Sequence, residues 1–118
     1  MAAHECGHAL FDAVVPSLYD SSTRESIAIH EAIADVIAIL MSLDSPVLRA
    51  SVLASSNNNL AGKNAFSRIA AEFGTARLGE DGVTRSALRD LKNSETRETL
   101  RNVRPHELST LLSGIFYD

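Results

Sequence analysis

Residues 27–43 read IAIHEAIADVIAILMSL, and this stretch decides how the chain folds. It is apolar on nearly every side of a helix, which is the composition of a buried central helix. Three ionisable residues, His30, Glu31 and Asp35, interrupt it, and we expect them to make it too polar for a membrane span. A charge inside a buried helix is costly unless it is paired or binds a metal. The stretch therefore predicts a central helix whose acidic residues have a dedicated partner.

A second motif, His4-Glu5-Cys6-Gly7-His8, lies upstream. Helical residues four apart are separated by about 40° around the axis and about 6 Å along it, so His4 and His8 can reach one divalent ion. Glu5 falls beside that ion, where a general base would have to stand. Cys6 points about 200° away from His4, which favours a buried small residue over a metal ligand. A short motif also arises by chance, and a solvated helix with two unrelated histidines is the plainer interpretation.

A third ligand is expected on the central helix. Catalytic zinc sites use three nitrogen or oxygen ligands and leave one position open. Glu31 fits this role, because it follows His8 by 23 positions in a stretch where an unpaired carboxylate is penalised. Asp35, one turn further on, is placed to accept the free ring N–H of a histidine, and His4 is the expected partner. The alternative is that both acids form salt bridges with Arg24 or a distant arginine.

Two neighbouring side chains have less specific interpretations. His30 is adjacent to Glu31 but turned about 100° from it, which favours a hydrogen-bonded packing histidine. Asp12 lies one turn past His8 and is equally compatible with capping, with support of the site and with exposure. Neither residue is predicted to bind the ion.

Helix signals divide the first half of the chain clearly. The first helix should end before Pro16, because the residue before a proline avoids helical geometry, and a loop over 17–21 should follow. Ser22 and Glu25 are spaced as a capping box that starts the central helix. Residues 44–46 stop it, and Pro46 opens a short helix over 47–54. A polar turn is expected over 55–59.

The second half predicts further helices and no strand. They are expected over 62–73, over 84–93, from Ser94 or Thr96 to about Arg104, and from Pro105 to the end, with a turn over 79–82. The fold class is therefore all-α, a multi-helix bundle forming a single domain over 1–118.

Composition restricts the class of protein. The chain has 118 residues, of which 45% are hydrophobic and 22% charged, as in soluble globular domains. Its net charge is -4, and residues 1–48 carry seven acids against one base, which favours cation binding over a nucleic-acid surface. The single cysteine allows no intrachain disulfide. Because only three residues precede the first motif, we expect the chain to be a segment of a longer protein.

The two motifs together, HECGHALFD over 4–12 and ESIAIHEAIAD over 25–35, resemble the active-site helices of thermolysin-like zinc metallopeptidases, the gluzincin type. The peptidase class with a third histidine in the first motif does not fit, because Phe11 and Val14 occupy its glycine and histidine positions. The resemblance implies the C-terminal helical domain of that family, with the strand-rich N-terminal half absent from this chain. That missing domain is then an expected partner.

The resemblance also implies roles for single residues. His4, His8 and Glu31 would bind one zinc ion, Glu5 would act as general base, and Asp35 would orient His4. The catalytic residues of the family also include a downstream histidine at the start of a helix, with serine three positions later. His106 and Ser109 match this spacing here, although Arg104 and Pro105 replace the glycines that commonly precede that histidine and Glu98 is the nearest upstream acid.

The implied activity is hydrolysis of peptide bonds in a peptide or protein substrate by a metal-activated water. Calcium is possible in such a protein, but the sequence does not support a site for it. Family resemblance implies secretion, although the chain contains no signal peptide. Arg77 could reach a substrate carbonyl, but its spacing does not require this. Two alternatives stay open: a zinc-binding helical module without catalysis, serving a structural or interaction role, and an ordinary helical domain with coincidental residues.

Overall fold

The computed structural model of the chain describes residues 2–69 and 89–117, and these are mostly helical. Within these ranges the helices are, in chain order, α1 (Ala2–Val14), α2 (Pro16–Tyr19), α3 (Arg24–Asp44), α4 (Pro46–Ser55) and α5 (Pro105–Tyr117). The expectation of a helical protein is confirmed at this level. α3 is the longest helix, and both α1 and α5 pack against it.

The start of α3 differs by one residue from the predicted cap. Thr23, rather than Ser22, is the N-cap residue, and its side-chain oxygen accepts a hydrogen bond from the backbone N–H of Ser26 at 3.1 Å. Ser26 is buried, and its hydroxyl donates to backbone oxygens of the preceding turn. This cap satisfies one of the free N–H groups at the helix start.

Prolines begin three of the helices. Pro16 opens α2 where a loop was predicted over 17–21, and this prediction is wrong for residues 17–19. Proline suits a first helical position because its missing N–H would have no partner there. Pro46 opens α4 as predicted, after Ser45, whose side chain accepts from the N–H of Leu48 at 3.4 Å. Pro105 opens α5, also as predicted.

The segment after α4 is not helical as predicted. Residues 61–67 form turns and bends, and the two-residue strands β1 (Arg68–Ile69) and β2 (Arg89–Asp90) form a short antiparallel pair that the sequence did not predict. Asn64 supplies the reason: its side-chain oxygen accepts from the N–H of Phe66 at 2.8 Å, and its own N–H donates to Ser67 Oγ at 3.0 Å. Such side-chain bonds compete with helix formation.

Two further predictions fail or lie outside the described residues. Residues 89–93 form β2 and a bend, and residues 97–102 form turns rather than a helix. Thr96 Oγ1 does accept from the N–H of Thr99 at 3.3 Å, so the predicted cap exists without a regular helix behind it. The remainder of the helices predicted over 62–73 and 84–93, and the turn over 79–82, lie outside the described ranges.

Small side chains bring the helices close to α3. Ala28, Ala32 and Ala34 are each at most 1% exposed. Ala28 packs with Leu100 and Leu108 in the core beside α5. On the α1 side, a Cβ added to Gly7 would lie 2.8 Å from the Cα of Ala34, so the two backbones approach each other more closely than side chains would allow.

α3 also has the length and composition of a membrane-crossing helix, with a mean hydropathy of 1.8 over its most apolar window. This differs from the expectation that the stretch is too polar for one. In the structure, α1 and α5 pack against α3, and its Asp35 is fully buried. The predicted burial of this helix is met only in part, because 28% of the window is buried and Leu40 and Met41 are exposed.

Candidate metal centre

The two histidines of α1 converge at their outer nitrogens. His4 and His8 lie one turn apart, and their Nε2 atoms are 3.0 Å apart. The His4 residue is buried, whereas His8 is partly exposed. The spacing of four therefore turns both rings to the side of α1 that faces α3, as the sequence predicts.

Glu31 of α3 completes a cluster of three donors. Its Oε2 lies 3.5 Å from the Nε2 of His4, and its Oε1 lies 3.6 Å from the Nε2 of His8. One ligand atom from each of the three residues lies within 4.8 Å of the others. Ligands at 2.0–2.1 Å from a tetrahedral zinc ion are separated by roughly 3.3–3.4 Å. The Nε2–Nε2 distance of 3.0 Å and the contacts of 3.5 and 3.6 Å, which involve different oxygens of Glu31, lie near this spacing, so the three residues are grouped closely enough to hold a metal ion.

Asp35 contacts the far side of one of these rings. Its Oδ1 lies 2.9 Å from the Nδ1 of His4, and its side chain is completely buried. A carboxylate at this position favours a proton on Nδ1 and leaves the lone pair of Nε2 for an ion. The structure thus places Asp35 against His4, the histidine expected from the sequence.

The charges of the cluster act on His8 in opposite directions. Burial lowers the pKa of His8, because desolvation penalises the protonated ring. The carboxylates of Glu31 and Glu5 raise this pKa, and the neighbouring rings of His4 and His30 lower it. The net direction is downward, so His8 stays neutral, the form in which imidazole binds metal.

Glu5 and Cys6 lie on the exposed part of α1. Glu5 is exposed and follows His4 directly, and its charge reaches His8 as described above. Cys6 is an exposed free cysteine, so the prediction of a buried small residue is wrong. Position 6 points away from His4, whereas the buried residues of α1 are His4 and Gly7.

The C-terminal helix brings a third histidine to the cluster. His106 is the second residue of α5, and its Nδ1 lies 3.0 Å from the Oε2 of Glu31 while 61% of its side chain is exposed. The structure therefore places His106 beside the three donors. Ser109 is buried, and its hydroxyl donates to the backbone oxygen of His106 at 2.8 Å, so it supports the helix start. Arg77 lies outside the described residues.

His30 is hydrogen-bonded, as expected from the sequence, but its partners were not predicted. Its Nδ1 lies 2.6 Å from the Nδ1 of His8, and its Nε2 lies 2.6 Å from Oδ1 of Asp12. The ring is thus more than a packing residue, and Asp12 belongs to the surroundings of the site. The position of Asp12 one turn after His8 indicated that it could lie near the site, but the sequence does not show that it contacts the ring of His30 on α3.

No protein family model, curated protein or solved structure matches this chain. The functional interpretation therefore depends on the residues and their geometry.

Proposed function

We propose that this chain is the zinc-binding helical part of a metallopeptidase resembling the C-terminal domain of thermolysin-like enzymes. The observation that carries the proposal is the convergence of His4, His8 and Glu31, with Glu5 exposed next to the first of them. Zinc bound by these three residues would supply Lewis acidity for the substrate carbonyl and for a water molecule. The metal-binding set is then two imidazoles and one carboxylate.

The three donors all present lone pairs to one another, which supports a cation between them. The contact of Asp35 favours a proton on the Nδ1 of His4, so its Nε2 is an acceptor. The Glu31 carboxylate is an acceptor when ionised. Acceptors at 3.0–3.6 Å repel one another unless a proton or a metal ion lies between them.

Glu5 is proposed as the general base. It is exposed on α1 and directly follows His4 in the chain. In this role Glu5 takes a proton from the attacking water and then passes it to the leaving amine. A general base at this position accounts for about 10²–10⁴-fold of the rate.

His106 is proposed to stabilise the negative charge that develops on the substrate carbonyl oxygen. Its Nδ1 lies against a carboxylate oxygen of Glu31, and 61% of its side chain is exposed. With one proton on Nδ1 facing Glu31, the ring carries a second proton on Nε2 only as the imidazolium, and in that form the Nε2–H would donate to the carbonyl oxygen as the charge forms. Glu31 would then orient the ring of His106. In the resembled family an acid upstream of this histidine is expected, and this chain has no acid at that position.

The proposed function is tested with Glu5→Gln. Zinc content and cleavage of an unstructured protein substrate such as casein are measured for wild type and variant, with the exposed Glu95→Gln as the matched control. We expect all three proteins to bind one zinc ion, and only Glu5→Gln to lose cleavage. Zinc binding without cleavage by the wild type would favour the non-catalytic module, and absence of stoichiometric zinc would favour an ordinary helical domain.

A further inference from the structure

His30 lies between a ring of the metal cluster and a carboxylate at the surface. Its two ring nitrogens each lie 2.6 Å from a partner, His8 on one side and Asp12 on the other. The side chain of His30 is 13% exposed and that of Asp12 is 37% exposed. The series of side chains His8, His30 and Asp12 therefore extends from the buried cluster towards solvent, where the charge of Asp12 is hydrated.

The rings of His8 and His30 meet head to head rather than face to face. Their centroids are 4.7 Å apart and their planes differ by 18°. Two imidazoles joined in one plane by an N–H···N bond have centroids about 5 Å apart, whereas stacked rings keep their atoms at least roughly 3.5 Å apart. The Nδ1 to Nδ1 distance of 2.6 Å excludes stacking and identifies a hydrogen bond directed along the ring planes.

Only one arrangement of protons satisfies every member of this series when His8 binds a metal. The ionised Asp12 carboxylate can only accept, so the Nε2 of His30 donates to it. In the neutral ring of His30, Nδ1 then carries a lone pair and accepts from the Nδ1–H of His8. The remaining lone pair of His8 is on Nε2, the atom that faces His4 and Glu31.

We propose that Asp12 and His30 form a hydrogen-bond chain that holds the His8 proton on Nδ1 and so prepares its Nε2 for the ion. This inference depends on the proposed metal site. His30 is a positioning residue in this scheme, because it acts through His8. Asp35 acts on His4 directly, whereas Asp12 acts on His8 through one intervening ring.

The test measures zinc affinity, by competition with a chromogenic chelator, in the full chain. His30→Leu removes the acceptor and keeps the bulk, whereas His30→Asn keeps a polar acceptor near the position of Nδ1. Phe11→Leu is the matched control, because it alters the edge contact of Phe11 with His30, whose ring centroids are 5.4 Å apart, and leaves both ring nitrogens of His30 with their partners. Asp12→Ala is measured alone and combined with His30→Leu.

We expect zinc affinity to fall about 10–100-fold in His30→Leu, which is the usual loss when the outer partner of a ligand histidine is removed. His30→Asn and Phe11→Leu should stay within a few fold of wild type. Asp12→Ala should weaken binding in the wild type but not in His30→Leu, because the chain is already broken there. In the zinc-loaded wild type, ¹⁵N NMR should show His30 protonated at Nε2 alone.

Other outcomes would overturn the proposal. Wild-type affinity in His30→Leu, equal losses in His30→Leu and Phe11→Leu, or additive effects of Asp12→Ala and His30→Leu would assign His30 to packing alone. If His30 is protonated at Nδ1 in the zinc-loaded protein, the hydrogen bonds run in the opposite direction and the proposal is wrong. Lack of cleavage by a zinc-binding wild type would refute the peptidase and leave this inference standing, whereas a wild type that binds no zinc would overturn both.

Discussion

The close approach of α1 and α3 makes Gly7→Ala the most informative perturbation of the fold. The added Cβ would lie 2.8 Å from the Cα of Ala34 and 3.0 Å from its carbonyl oxygen. Carbon atoms in contact lie about 3.5–4.0 Å apart, so the helices would have to separate by roughly 1 Å. The opposing atoms belong to the backbone of α3, and no rotation of a side chain can relieve the clash.

The effect on stability is the difference of two terms. Overpacking of this kind costs about 1–3 kcal/mol, and replacing glycine by alanine inside a helix contributes about 1 kcal/mol of stability. We therefore expect Gly7→Ala to lower the free energy of unfolding by about 0–2 kcal/mol. Thermal and urea unfolding of the metal-free protein measure this change.

The effect on metal binding should be larger than the effect on stability. His4 and His8 flank Gly7 on α1, while Glu31 is on α3, so separating the helices pulls the ligands apart. Metal–ligand distances tolerate changes of about 0.2 Å, well below the expected shift. We expect zinc affinity to fall at least about tenfold, comparable to removal of a residue that supports a ligand.

Gly62→Ala is the matched control, because a Cβ at Gly62 meets nothing within 4 Å. It should change stability by no more than about 0.5 kcal/mol and leave zinc affinity unaltered. If Gly7→Ala binds zinc as tightly as wild type, the reasoning that the α1–α3 spacing holds the three donors together is refuted.

Two further predictions concern individual histidines. His106→Ala should retain stoichiometric zinc but reduce kcat for peptide cleavage by about 10²–10³-fold, as expected for loss of an oxyanion donor; unchanged kcat would remove His106 from the reaction. For the metal-free protein, burial lowers the pKa of His8 below its ordinary value of 6.5, so the unfolded chain binds this proton first as pH falls. Stability should therefore be highest above pH 6.5 and decrease below it, and His8→Asn should lessen this decrease in urea unfolding measured across that range.

The helices whose ends carry local signals could be predicted from the sequence. Prolines at positions 46 and 105 and the serine–threonine run before α3 act through the adjacent backbone, so their effects can be read without tertiary structure. Residues 61–67 could not, because Asn64 uses its side chain to bond the backbone in place of a helix. Apolar spacing alone did not reveal that competition.

The positions of the two histidine ligands could also be predicted from local sequence, since a spacing of four brings His4 and His8 together on any helix. The role of His30 was not. Its angle on α3 separates it from Glu31, but what it contacts depends on how α1 is rotated against α3. The close approach of the two helices at Gly7 and Ala34 appears in the sequence only as two small residues.

The position of His106 beside Glu31 places only a weak constraint on the length of the chain between them. His106 follows Glu31 by about 75 positions, whereas Glu31 follows His4 by about 27, and loop-closure entropy grows only with the logarithm of that separation. Bringing His106 into place therefore costs only about 0.9 kcal/mol more entropy than joining the first two helices. Insertions or deletions between α4 and α5 should therefore change the free energy of forming the site only slightly, provided that α5 remains packed against α3.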